Sequence, residues 1–417
     1  MDYYSIATVL IVLSALFGYL NVKFLKLPIT IGLMVITIVF TAVILFIGQF
    51  DNTLLIKEKE FIQSIDFETV LLDIMLSFLL FAGALHTNFS QLKVQRGPIL
   101  AFATFGVLVS TFLVGTVIFY VLGAMGFEVS YINCLLFGAL ISPTDPIAVL
   151  GILKKAGAPK KLETKIVGES LFNDGVGVVI FLTIYAIAAQ PNVPLDFSDI
   201  LTLFGQEVIG GLLLGLGLGW ITFRLMRSID SYEIEVILTL AAVMGGTALA
   251  HQFHLSAPLA MVAAGLMVGN DKARNAAMSE VTEAYVDKFW ELIDVLLNTI
   301  LFVMIGMEML VLTFGKNYLY AGLLAIPLIL LCRYISLWLP VRFFAKKLDF
   351  VPKTNLIMTW GGLRGGISIA LALSLTKEMH RELFLVITYV VVVVSIVGQG
   401  LTVEPIIRKL TAQTNKD

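Results

Sequence analysis

Thirteen apolar runs follow one another along the chain, and they leave room for little except a helical bundle embedded in a membrane. The runs lie near 3–20, 29–48, 67–87, 97–123, 131–153, 164–189, 203–226, 234–252, 255–269, 289–312, 318–345, 354–376 and 382–405. Most match the ~20 residues that carry an α-helix across a bilayer. Within lipid, a spanning segment must satisfy its own backbone groups, which selects helices here. The run at 255–269 is short, and His251-Gln252-Phe253-His254 separates it from the preceding one. Only 14% of residues are charged and the mean hydropathy is +0.94, whereas a soluble domain carries about a quarter charged residues. The first run has no basic segment before it and no small-residue cleavage site after it, so it is expected as a retained helix rather than a signal peptide.

The basic residues set an orientation. With the N-terminus outside, 21 of the 28 Lys and Arg fall in the odd-numbered connections and the C-terminal tail, against five in the other connections. By the positive-inside rule the odd connections and the C-terminus are cytoplasmic. Arg333 and Arg364 remain inside apolar runs. The longest polar connections, about 49–66 and 270–288, are too short to fold alone, so 1–417 is expected to be a single transmembrane domain with no soluble part. A net charge of −2 argues against a nucleic-acid partner. No Walker A loop points to ATP, and four histidines show no metal-ligand spacing. Cys134 and Cys332 lie in apolar runs and are expected as buried thiols.

Three stretches inside the runs carry chemistry. In the sixth run, Gly168-Glu169-Ser170-Leu171-Phe172-Asn173-Asp174-Gly175 places two carboxylates, a hydroxyl and a carboxamide at membrane depth. Such groups are costly there and mark function. Ser170 with Asp174, and Glu169 with Asn173, are four apart and stack on one helical stripe. In the fifth run, Ser142-Pro143-Thr144-Asp145-Pro146 removes two backbone donors and predicts a broken helix. Such a break exposes carbonyls and a half-helix N-terminus that favours Asp145. In the twelfth run, Gly361-Gly362-Leu363-Arg364-Gly365-Gly366 predicts a second break around an arginine. Arg364 requires an anion or carbonyls; the candidates are Glu169, Asp145 and the exposed carbonyls of either break. Interrupted helices at corresponding positions suit inverted repeats. The expected division is 1–189 (helices 1–6), a linking helix 7 within 190–230, and 231–417 (helices 8–13), with helices 5 and 12 crossing at mid-membrane.

These three stretches, in this order, resemble the signatures of the sodium/proton antiporters, in the electroneutral, NhaP-like branch of the monovalent cation:proton antiporter superfamily. The Asn173-Asp174 pair matches that branch, whereas electrogenic relatives carry Asp-Asp. The resemblance implies an antiporter, not an enzyme, in which Na⁺ (or Li⁺) and H⁺ compete for Asp174 by alternating access at 1:1 stoichiometry. Ser170 and the Thr144 carbonyl would join Asp174 on the Na⁺, with Asp145 close by through water. Glu169 and Arg364 would form a buried ion pair, and Asn173 would brace both breaks. No cofactor is implied beyond the transported ions. The lipid bilayer, a homodimeric partner and a prokaryotic inner membrane are. A K⁺/H⁺ antiporter on the same scaffold and a cation channel are the alternatives. Many family members carry a glutamate in the third helix, where this chain has Ala82; Asp73 and His86 are candidate replacements.

Overall fold

The computed structural model describes residues 3–50, 52–63, 65–189, 197–270, 278–312, 314–345, 348, 350 and 353–412. These are helical throughout, with no strand among the described residues. The elements are α1 (Tyr4–Leu25), α2 (Ile29–Ile47), α3 (Asn52–Gln63), α4 (Thr69–Leu85), α5 (Phe89–Ala124), α6 (Tyr131–Ile141), α7 (Pro146–Ala156) and α8 (Lys160–Ala189). The second half comprises α9 (Phe197–Met226), α10 (Tyr232–Gln252), α11 (Ala257–Val268), α12 (Glu280–Glu308), α13 (Lys316–Ala345), α14 (Thr354–Trp360), α15 (Gly366–Leu373) and α16 (Arg381–Lys409).

Each of the thirteen apolar runs has its helix or broken helix. Among the described residues, nine helices are long and apolar enough to cross a membrane, and α4, α6 and α11 are shorter apolar helices. The fifth run folds as α6 and α7, the twelfth as α14 and α15. Two boundaries differ most from the hydropathic reading. Helix α5 begins at Phe89 and α12 at Glu280, eight and nine residues early, because polar first turns carry no hydropathic signal. The connection at 49–66 also contains a helix of its own, α3.

Local chemistry fixes where the helices start. Asn88 caps α5 by accepting from the Gln91 N–H, and Ser130 caps α6 by accepting from Asn133. Ser256 does the same for α11, with Pro258 in its first turn, and Ser279 for α12. A left-handed His254 (φ 53°) turns the chain between α10 and α11, so the two weakly separated runs are distinct helices. Pro98 inside α5 precedes a widened π turn at Phe102–Gly106.

Small residues let central helices approach closely. A Cβ on Gly138 of α6 would sit 2.2 Å from the Thr111 carbonyl of α5. One on Gly215 of α9 would sit 2.1 Å from the Ala260 carbonyl of α11. Membrane helices pack through such contacts, since lipid provides no hydrophobic drive between them. The most completely buried elements are α6, α8, α11, α15 and the first part of α16, of which α6 and α15 are themselves halves of the broken helices. Cys134 and Cys332 are free and buried.

Candidate ion site

The two breaks are hydrogen-bonded to each other. Between α6 and α7 the chain is non-helical from Ser142 to Asp145; between α14 and α15 it is non-helical from Gly361 to Gly365. The Asp145 N–H donates to the Leu363 carbonyl at 2.7 Å. The Arg364 guanidinium donates through Nη1 to the carbonyls of Ser142 and Pro143, the latter at 3.0 Å. These are carbonyls at the C-terminal end of α6, which lack helical partners and carry the negative end of its dipole. The Arg364 N–H is held by Ser395 Oγ of α16 at 2.9 Å. Glycine is required where the breaks touch: a Cβ on Gly365 would lie 2.7 Å from Asp145 Oδ2.

Helix α8 lays its polar stripe against this crossing. Ser170 Oγ and Thr144 Oγ1 are 2.9 Å apart. Asn173 accepts from the Thr144 N–H at 3.3 Å and donates through Nδ2 to Thr144 Oγ1 at 2.9 Å. Asn173 thus satisfies the backbone of the fifth-helix break; no bond from it to the twelfth-helix break is present among the described residues. Asp174, one helical turn beyond Ser170, is 3% exposed and makes no hydrogen bond or ion pair among the described residues. It faces a cavity of about 50 Å³ whose wall also holds Thr144, Asp145, Asn298 and Ser368. A few water-sized molecules fill such a volume, so it suits a largely dehydrated monovalent cation.

The expected Glu169–Arg364 pair is not the one formed. Glu169 Oε1 and Oε2 lie 3.0 and 3.2 Å from Nη2 of Arg333 on α13, both side chains being almost fully buried. Arg333 Nε also donates to the Met358 carbonyl near the end of α14. Each C-terminal end at a break therefore has its own arginine: Arg364 on α6, Arg333 on α14. With Arg364 committed to carbonyls, the buried carboxylate of Glu169 takes the second guanidinium. A Cβ on Gly362 would lie 2.2 Å from Arg333 Nε, so the glycines of the twelfth run make room for an arginine of the eleventh.

Neither Asp73 nor His86, the candidates for a third-helix polar group, lines the cavity. Helix α4 contributes Leu71, Leu76, Leu79, Leu80 and Gly83 to the wall, and Ala82 is fully buried beside them. Asp73 is exposed and lies outside the cavity wall. His86 ends α4, its Nδ1 2.9 Å from the Ala82 carbonyl and its Nε2 3.3 Å from the Asp287 carbonyl. Neither reaches Asp174's cavity. The further polar groups come from Asn298 and Ser368 instead. Asn298 gave one signal in sequence, a carboxamide within the apolar tenth run, and its Nδ2 is anchored to Asp294 Oδ1 at 3.1 Å.

The whole chain has counterparts among known proteins. The family model described as "Sodium/hydrogen exchanger, transmembrane" matches residues 11–409. The chain belongs to the sodium/hydrogen exchanger family. Relatives within this exchanger family include the Na⁺/H⁺ antiporter NhaP of Pseudomonas aeruginosa, 48% identical over 407 residues, covering 96% of each chain. The Na⁺/H⁺ antiporter NhaH of Halobacillus dabanensis is 34% identical over 357 residues, covering 85% of this chain and 86% of its own. Among solved structures, the sodium proton antiporter MjNhaP1 from Methanocaldococcus jannaschii at pH 8 superposes with a TM-score of 0.75. It covers 99% of both chains at 20% identity, which shows that this exchanger shares its fold.

Proposed function

We propose that the protein is a secondary antiporter that exchanges Na⁺ or Li⁺ for H⁺ by alternating access, with both ions competing for Asp174. The observation that carries this reading is that the buried Asp174 carboxylate, without a hydrogen-bond or ion-pair partner among the described residues, faces a small cavity where two broken helices meet. Ser170 Oγ, the Thr144 carbonyl and, through water, Asp145 complete the cation's oxygen ligands. Sodium and proton each require the deprotonated carboxylate, so either excludes the other. One cation for one proton moves no net charge, and Asn173 in place of a second carboxylate supports that electroneutral stoichiometry.

Cavity arrangement supports one end of an alternating cycle. A cavity of about 380 Å³, lined by His86, Glu163, Thr164 and Asp294 among others, shares Gly83 and Leu171 with the Asp174 cavity. It borders connections rich in Lys, which the charge distribution assigns to the cytoplasm. On this reading the N-terminus is outside, the C-terminus is inside, and the protein sits in a prokaryotic plasma membrane as a homodimer. Residues 1–189 and 231–417 form the two inverted repeats, joined by the helix within 190–230.

Reconstitution tests the proposal. Proteoliposomes with an imposed pH gradient are challenged in turn with Na⁺, Li⁺ and K⁺ while lumenal pH is followed. Sodium and lithium are expected to dissipate the gradient with no current in a planar bilayer. A response to K⁺ alone identifies a potassium exchanger, and a conductance identifies a channel; either result overturns the proposal.

A further inference from the structure

Beyond the cavity of Asp174, on the side opposite the Lys-rich connections, lies a second chamber of about 390 Å³. Its rim carries the exposed carboxylates of Asp66 and Glu68; Glu308 and Arg381 also line it. Glu308 is 7% exposed, and its carboxylate has no hydrogen bond or ion pair among the described residues. Among the described residues Arg381 closes no salt bridge with any of the three acids, although its charge acts on Glu68 and Glu308 from a distance. A buried carboxylate left unpaired against an open chamber is costly unless something in the chamber compensates it.

The chamber stands on the helices that build the ion site. Glu308 is seven residues beyond Leu301 on α12, and Leu301 lines the Asp174 cavity. Asp294, seven residues before Leu301, lines the inner chamber. A spacing of seven keeps one helical face and advances about 10 Å. One face of α12 therefore presents a carboxylate to each chamber, with the narrow site midway between them. The two chambers are of nearly equal volume, each several times that of the Asp174 cavity. The outer one shares no lining residue with the Asp174 cavity.

We propose that this outer chamber is a capture site for a hydrated monovalent cation, the same ion that Asp174 exchanges, with Glu308 as its anchoring carboxylate. The inference rests on the antiport reading and adds a site to it. The chamber is roomy enough for an ion that keeps its water. Its carboxylates do not converge as a chelating cage, since no group of three His, Cys, Asp or Glu residues is placed to hold a metal among the described residues. That disfavours a tightly held divalent ion. Arg381 offsets part of the negative charge, which suits an ion that must leave again. Walls of low dielectric focus the field of the remaining charge and raise the local cation concentration.

The test is sidedness. Right-side-out and inside-out membrane vesicles present opposite faces to added Na⁺, and the KM for Na⁺-driven proton movement is measured from each. Glu308→Gln is expected to raise the KM about fivefold from the face that carries Glu308, for one charge removed at the chamber. From the other face the KM should stay within about twofold, and Glu308→Asp should restore most of the loss. Arg381→Gln should lower the KM on the Glu308 face only, and it decides the matter alone if Glu308→Gln fails to reach the membrane. An equal change on both faces, or none on either, overturns the capture site. Antiport itself is separated by a second readout on purified Asp174→Asn protein. Sodium-23 NMR should show excess line broadening that Glu308→Gln reduces and Glu404→Gln does not. If the two substitutions act alike there, the capture site fails even where antiport stands; if the unaltered protein moves no protons on Na⁺ addition, antiport fails whatever the NMR shows.

Discussion

At the scale of residues, the site works because each buried charge but one has a partner. Glu169 has Arg333, Arg364 has the carbonyls of Ser142 and Pro143, and Asp174 has the cavity. Removing one member of the Glu169–Arg333 pair strands a buried charge and should cost about 3–5 kcal/mol. Removing both should cost clearly less than the sum of the two single losses, with a coupling above about 1 kcal/mol. Thermal unfolding of the detergent-solubilised Glu169→Gln, Arg333→Gln and double variants measures this, and simple additivity would contradict the pair. The sequence offered two membrane-depth arginines and several possible anions. Hydropathy is read along one helix, whereas the choice of partner is made between helices, so the assignment of Arg333 to Glu169 was not legible. The carboxylate stripe itself was legible, because it depends only on helical spacing within 168–175.

At the scale of elements, helix breaks and helix contacts follow different rules. The breaks at 142–145 and 361–365 were visible in the chain because proline and glycine act locally. That the breaks bond to one another required the fold. Glycine's role in packing is equally non-local. Gly215 faces the Ala260 carbonyl, while nothing lies within 4 Å of a Cβ built on Gly217. Gly215→Ala should therefore push α9 from α11 and cost about 1–3 kcal/mol. Gly217→Ala should be neutral or stabilising by up to about 1 kcal/mol, as alanine suits a helix better. Comparable unfolding temperatures for the two variants would count against the contact.

The first turn leading into α4 supplies a pH-dependent case. Asp66 accepts from the Thr69 hydroxyl at 2.7 Å and the Thr69 N–H at 3.2 Å. These bonds hold its carboxyl below the ordinary value of 3.8. A depressed folded-state value adds stability above the unfolded value, and that stability is lost as pH falls through the folded one. Asp66→Ala should cost about 0.5–1 kcal/mol at neutral pH, small because the group is exposed. The gap between variant and unaltered protein should narrow below pH 3.8, and a gap that widens in acid would refute the cap.

At the scale of the whole molecule, the narrow Asp174 cavity lies along α12 between an inner chamber lined by Asp294 and an outer one lined by Glu308. The inner chamber shares Gly83 and Leu171 with the central cavity, and the outer chamber shares no lining residue with it. The helices and broken helices that answer the thirteen apolar runs, and their order, were legible from hydropathy alone, since a span must be apolar over its whole length. The cavities were not, because their walls combine single residues from four or more helices. Helix α4 shows the difference: it forms an apolar wall around Ala82, and Asn298 and Ser368 from other helices supply the polarity.

The central claim is that Asp174 is the carboxylate for which cation and proton compete. Its most direct test is Na⁺-driven proton movement in proteoliposomes containing Asp174→Asn. Asparagine keeps the size of the side chain and cannot exchange a proton. The account predicts that proton movement falls to the rate of protein-free liposomes, while the purified variant stays monodisperse and unfolds within a few degrees of the unaltered protein. Exchange at the unaltered rate by the Asp174→Asn protein would contradict it.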